Sequence, residues 1–217
     1  MEFHRNIEKK LKEWSQSPFR KPLVLRGARQ VGKTTAVKQF ASGYEQFIYL
    51  NLETNDAESF EGERDIHKIV DRIFFLKDAV KDKANTLIFI DEIQEVPEAL
   101  NMLRYFYEEY PEYHVIAAGS LLESLFDRDI SFPVGRVDYL YMYPCSFDEF
   151  LEALGEKNAL KAYHQVPVPD YAVDKLMQLF HTYTLVGGMP EAVYRYVVTK
   201  DLSQVKSVYD SLLLSYL

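Results

Sequence analysis

The feature that most constrains this chain is a junction of three unlike segments. Pro22-Leu-Val-Leu-Arg26 is a short apolar run, Gly27-Ala-Arg-Gln-Val-Gly-Lys-Thr34 follows it without a break, and Thr34 to Phe40 takes up helical spacing with Gly43 as its stop. An apolar run of this length that enters a glycine turn reads as a buried strand. The loop keeps a Gly, a Gly-Lys pair and a hydroxyl residue in the register of a phosphate-binding loop. Its glycines let backbone N–H groups wrap phosphate oxygens without a side-chain clash. Lys33 can reach the outer phosphates, Thr34 can offer its hydroxyl to Mg²⁺, and the helix directs its N-terminus at the same charge. Gly27, Ala28, Arg29, Gln30, Val31, Gly32, Lys33, Thr34 and Thr35 are therefore the candidate nucleotide-binding residues. The plainer alternative is a glycine-rich strand-to-helix turn carrying a surface lysine, but the strand before and the helix after are the context the phosphate loop needs.

The same alternation of strand and helix continues along the chain. Phe47 to Leu52, Leu87 to Ile90, Val115 to Ala118 and Val137 to Tyr141 read as further strands. Ile66 to Val80 and Pro97 to Tyr110 carry helical spacing, Leu121 to Phe126 can form a short helix, and Glu53 to Asp65 reads as a loop. Phe3, Ile7, Leu11 and Trp14 mark a helix at the start. Several strands are apolar without alternation, which predicts a parallel sheet covered on both faces, an α/β three-layer sandwich. After Pro144 the character changes: Ser146-Phe-Asp-Glu149 is a capping box opening a helix to Leu154. Helices are then expected over 171–186, 191–198 and 202–217, with no strand. The expected organisation is an N-terminal helix over 1–14, a phosphate-loop core over 15–144 and a helical extension over 145–217.

Leu87-Ile-Phe-Ile90 ends in Asp91-Glu92, and Asp91 lies 58 residues after Lys33. An acid at the end of a buried strand can hold Mg²⁺, so Thr34 and Asp91 are the candidate metal ligands, and Glu92 can orient and activate an attacking water. Alone, two acids after a strand would read as a solvated turn; the upstream loop shifts the balance toward a site. Hard oxygen ligands and phosphates favour Mg²⁺ over zinc. The five histidines are scattered and form no ligand pair.

These motifs together resemble the P-loop ATPases of the AAA+ superfamily, most of all the bacterial and archaeal group whose ATPase domain precedes a C-terminal domain of uncharacterised function. The resemblance rests on Gly27 to Thr35, Phe89-Ile-Asp-Glu-Ile-Gln94, Ala118-Gly-Ser120, Gly135-Arg136 and Tyr143-Pro-Cys-Ser-Phe-Asp-Glu-Phe150, with Gly187-Gly-Met-Pro190 extending it. It implies the strand order 5-1-4-3-2, ATP and Mg²⁺ as cofactors, and a longer chain. It also implies catalytic roles for Glu92 and Lys33, a polar sensor at Ser120, and an arginine finger or phosphate sensor at Arg136, with Arg128 in reserve. Ser120 also suits a helix N-cap, and a surface salt bridge is the bland alternative for either arginine. Arg195 is the nearest candidate for a lid arginine, which leaves open whether the helical tail closes over nucleotide.

Composition narrows the remaining choices. Thirty-three acids against 25 Lys+Arg give a formal charge of −8, which argues against a generally basic nucleic-acid surface. One cysteine excludes an intrachain disulfide framework, and Cys145 reads as a buried thiol. No stretch approaches 18 apolar residues and the opening lacks the apolar core of a signal peptide, so a cytoplasmic protein without membrane contact is expected. The 16 tyrosines suit core and boundary packing, or an interface. Neither the guanine-reading Asn-Lys-x-Asp pattern nor the transporter Leu-Ser-Gly-Gly-Gln signature is present. The expected function is Mg-dependent ATP hydrolysis coupled to a conformational or partner-directed task. The alternatives are an ATP-binding switch with negligible turnover and a small-molecule kinase. Asp210-Ser-Leu-Leu-Leu-Ser-Tyr-Leu217 stops on an apolar residue without Gly, Asn or Pro. Self-association or a missing C-terminal domain is the expected partner of its last turn.

Overall fold

Five short strands, β1 (Leu23–Arg26), β2 (Gln46–Asn51), β3 (Thr86–Asp91), β4 (His114–Ala118) and β5 (Asp138–Tyr141), pair only in parallel and lie in the order β2-β3-β4-β1-β5. Read from the other edge this is 5-1-4-3-2, the order the resemblance implies. The computed structural model of the chain describes residues 4–60, 62–81, 83, 85–120 and 135–214. The expected helix over 121–126, Arg128, Tyr216 and Leu217 lie outside them.

A parallel strand must pass its chain back across the sheet, and here helices do so on both faces. The pleat divides each strand between two cores. Leu23 and Leu25, Leu87 and Phe89, and Ile116 and Ala118 face α1 (Ile7–Ser15) and α2 (Lys33–Phe40), where Ile7, Leu11, Trp14, Ala36 and Val37 are buried with them. The alternate residues Val24, Ile48, Leu50, Ile88, Ile90, Val115 and Ala117 face α3 (Ile66–Leu76) and α4 (Pro97–Glu109). All six residues of β3 are buried, which is why its sequence runs apolar instead of alternating. Each of its larger side chains contributes about 1.5–3 kcal/mol by leaving water. The register pairs Ile90 with Ala117 and Asn51 with Asp91, so the carboxyl ends of β2, β3 and β4 come out at one edge.

The chain forms two compact units, Ile7–Met142 and residues 143–214 with residues 4–6. The second is helical: α5 (Phe147–Ala153), α6 (Lys157–Tyr163), α7 (Asp170–Val186), α8 (Pro190–Thr199) and α9 (Ser203–Leu214), with no strand among its described residues. The capping box of α5 forms as expected. Its Glu149 also accepts from Asn6 N at 2.5 Å and pairs with Arg5 at 3.2 Å, both side chains nearly inaccessible to water. Gly187-Gly-Met-Pro190 is a packing joint: a Cβ on Gly188 would sit 2.5 Å from the Cys145 carbonyl oxygen, and one on Gly187 2.0 Å from the Tyr209 hydroxyl.

Some expectations need adjustment. α3 stops at Leu76 instead of Val80, because Asp78 turns to φ 48° and the chain leaves the helical path. The loop over 53–65 contains a 3₁₀ turn, Asn55–Ser59. Helix α6 was not expected at all. Of the apolar stripe on α9, Val205 and Val208 are buried while Leu213 and Leu214 are 64% and 72% exposed. Cys145 is a buried thiol, as expected, and burial pushes it up to about 11.

Candidate functional site

The loop between β1 and α2 is shaped by three unusual backbone positions. Gly27 has φ 151°, and a Cβ there would fall 2.3 Å from the Met142 carbonyl oxygen, which follows β5. Met142 N donates to Arg26 O at 2.7 Å, so the start of the loop is pressed against the neighbouring strand's continuation. Gln30 (φ 60°) and Gly32 (φ 96°) are both left-handed, and Gly32 is the N-cap of α2 without a side-chain cap. Having no side chain, Gly32 places no capping oxygen over the first turn of that helix.

Lys33 opens α2 and is only 6% exposed. Its ammonium donates to the carbonyl oxygens of Gly27 and Ala28, each at 2.9 Å, so the side chain curls back along the loop. One residue on, Thr34 Oγ1 donates to Asp91 Oδ2 at 2.8 Å. The alternation of β3 explains the meeting: Asp91 follows Leu87 and Phe89 on the face that α2 covers.

Asp91 is 3% exposed. Burial lifts its carboxyl above the usual carboxylate value and the charge of Glu92 adds to this, while hydroxyl donors Thr34 and Tyr49 oppose it. Tyr49, on β2, donates to the same Oδ2 at 3.2 Å, and Glu92 N donates to Oδ1 at 3.2 Å. Burial first, then the charge of Asp91, pushes the Tyr49 phenol up to about 12, which keeps it a donor. A hydroxyl and a buried carboxylate in direct contact are the oxygen donor set that suits Mg²⁺ sharing its shell with phosphates and waters. No group of three or more His, Cys, Asp or Glu suited to a metal exists among the described residues, so no all-protein cage competes with that arrangement.

Arg29, Gln30, Gly32, Lys33, Thr34, Thr35, Glu92 and Ser120 line one open concavity of about 250 Å³ at the carboxyl edge of the sheet. Of the expected nucleotide residues, Gly27, Ala28 and Val31 build the loop without lining the concavity; Val31 is fully buried in the α1–α2 core. Ser120 follows β4, which lies between β1 and β3, so it faces the loop from the middle of the sheet. Glu92 takes a left-handed φ of 51° as the N-cap of a 3₁₀ turn, Ile93–Glu95. Arg136 is elsewhere: its guanidinium pairs with Glu108 on α4 at 2.9 Å, with the ring of Tyr107 nearby. Arg195 pairs with Glu191 at 2.6 Å within α8. Sequence reasoning gave no role to two residues that touch the acid pair, Tyr49 and Gln94. Only the β2–β3 register brings Tyr49 near Asp91, and no local pattern encodes that register.

Comparison with known proteins agrees with this fold. A family model described as an AAA domain (AAA_14) matches residues 19–151, more than half the chain. Among solved structures, the Walker-type ATPase PABY2304 of Pyrococcus abyssi aligns over 99% of this chain and 74% of its own, with TM-score 0.62 and 19% identity. The Drosophila ORC structure bound to DNA aligns over 95% of this chain and 66% of its own, with TM-score 0.52 and 16% identity. At such identities the likeness is one of fold. No curated protein matches the chain significantly.

Proposed function

The chain belongs to the AAA domain family (AAA_14), and from that premise we propose that it binds ATP with Mg²⁺ and hydrolyses it to ADP and phosphate. The observation that carries this reading is the convergence of Lys33, Thr34, Glu92 and Ser120, from three strand ends, on one concavity while Thr34 holds Asp91. In the proposal, the loop's N–H groups and the N-terminus of α2 bind the phosphates. The Lys33 ammonium exchanges its two neutral carbonyl partners for charged phosphate oxygens, which are stronger acceptors. Thr34 and Asp91 would hold Mg²⁺, which supplies charge neutralisation across the outer phosphates. Glu92 orients a water and accepts its proton as the water oxygen attacks the γ-phosphorus and the bond to the bridging oxygen of ADP breaks. Ser120 donates toward the γ-phosphate from the end of β4.

A second reading is favoured by one observation. Among the described residues lining the concavity the only arginine is Arg29, in the loop itself, and Arg136 is engaged by Glu108. If a finger arrives from a neighbouring subunit, the isolated chain is a slow switch. The DNA in the Drosophila structure belongs to that assembly, and no DNA partner is proposed for this acidic chain.

Single-turnover phosphate release separates these readings. Glu92→Gln is expected to retain Mg·ATP binding and lose at least about a hundredfold in rate, as for a group acting only on the transition state. Equal rates in wild type and variant would remove Glu92 from the chemistry. A wild type that binds ATP yet never releases phosphate would leave the switch.

A further inference from the structure

The turn after β3 contains a contact that phosphate binding does not require. Gln94 Nε2 donates to Glu92 Oε2 at 2.6 Å and reaches Glu95 Oε1 at 3.3 Å. Charge fixes the orientation of this amide: with its oxygen and nitrogen exchanged, a carbonyl would face two carboxylates. The consequence is that Gln94 Oε1 lies buried with no hydrogen-bond partner among the described residues. A stranded carbonyl is disfavoured, and the side chain is partly exposed, so rotation outward would relieve it at the expense of the bond to Glu92. Glu92 itself sits at φ 51°, a conformation that non-glycine residues seldom adopt, in a turn closed by Glu95 N donating to Glu92 O at 3.0 Å. Two unfavourable local features therefore coincide at the contact that holds the Glu92 carboxylate.

We propose that Gln94 is the positioning residue for Glu92: it holds Oε2 from behind so that the other oxygen, Oε1, is presented to the concavity and to the attacking water. Gln94 does not line the concavity, whereas Glu92 does, so Gln94 acts through its neighbour. The inference rests on the assignment of Glu92 as the water-activating group. Strand β3 fixes the Cα of Asp91 firmly, but Glu92 is the first residue beyond it, and its three side-chain torsions would otherwise leave the carboxylate free to sweep the mouth of the site. A carboxylate displaced by about 1 Å from the water loses on the order of a hundredfold in rate.

The experiment compares the full chain with Gln94→Leu, Gln94→Asn, Glu92→Gln and the Glu92→Gln/Gln94→Leu double variant. Each is read by single-turnover phosphate release and by calorimetric titration with Mg·ATP. Gln94→Leu is expected to slow release by about ten- to a hundredfold while the ATP dissociation constant stays within about twofold. In the Glu92→Gln background the same change is expected to have less than about a twofold effect on the rate, because Gln94 acts on the chemistry only through the Glu92 carboxylate. Gln94→Asn keeps a polar amide in the turn but is one methylene too short, so it should show the same split even if leucine is not tolerated there. A wild-type or faster rate in both Gln94 variants overturns the proposal, as does a full additional loss in the double variant. Should Glu92→Gln itself turn over at the wild-type rate, the assignment of Glu92 fails and the Gln94 proposal fails with it. An inactive Glu92→Gln beside an indifferent Gln94→Leu overturns the positioning role alone.

Discussion

At Gly27 a single missing methyl decides whether the loop can exist. With φ at 151° and the Met142 oxygen 2.3 Å from where a Cβ would stand, alanine faces a poor backbone conformation and a clash with backbone, which cannot rotate away. Gly27→Ala is expected to lower the stability of the Ile7–Met142 unit by about 2 kcal/mol or more. It should also weaken Mg·ATP binding, since the clash is relieved only by moving the loop. Urea denaturation that shows an unchanged midpoint would contradict this. The neighbouring positions differ in kind. Gln30 is left-handed yet not glycine, and Tyr49 reaches Asp91 from another strand. Neither demand has a local sequence signature, whereas the glycines and Lys33 have one because phosphate wrapping restricts residue type directly.

Elements were legible where burial imposes a period. Leu87 to Ile90 is apolar on both faces of a central strand, and Ile66, Ile69, Val70, Ile73 and Phe74 bury one face of α3, so strand and helix could be told apart from the residues alone. Helix α6 escaped because its buried residues are Ala159 and Ala162; alanines contribute too little apolar contrast to mark a face. The parallel layering follows from pattern, but the order of strands does not, and the resemblance supplied it. The capping box of α5 was readable as Ser146 and Glu149, yet the same Glu149 pairs with Arg5, 144 positions earlier in the sequence, and such a long-range partner leaves no local trace. That pairing makes a prediction at this scale. Glu149→Ala leaves the Arg5 guanidinium buried without its carboxylate and removes one half of the α5 capping box, the bond from Ser146 N, while Ser146 stays as the N-cap. A loss of about 3–5 kcal/mol is expected in denaturant unfolding. Replacing Arg5 and Glu149 together by apolar residues should cost markedly less. Equal stability of Glu149→Ala and wild type would show that the ion pair is not engaged.

The whole molecule joins a five-stranded parallel unit, which carries the candidate site, to a helical unit of residues 143–214 with residues 4–6. Among its described residues no helix is long and apolar enough to cross a membrane, and the net charge of −8 makes a positively charged loop at a strand edge a local exception. That exception is where an anion of several charges would be drawn. Among the described residues that line the concavity Lys33 supplies the one ammonium, held by two carbonyls at 2.9 Å. Removing it deletes a full charge from the phosphate position and takes a donor from those two carbonyls, a cost that the unfolding midpoint reads. Calorimetric titration of Mg·ATP into wild type and Lys33→Ala, each verified as folded by its unfolding midpoint, therefore tests the central claim most directly. The account predicts saturable binding to wild type and an affinity lower by about a hundredfold in the variant, the loss of a charge-assisted contact to phosphate. Equal affinity of the folded variant for Mg·ATP would contradict it.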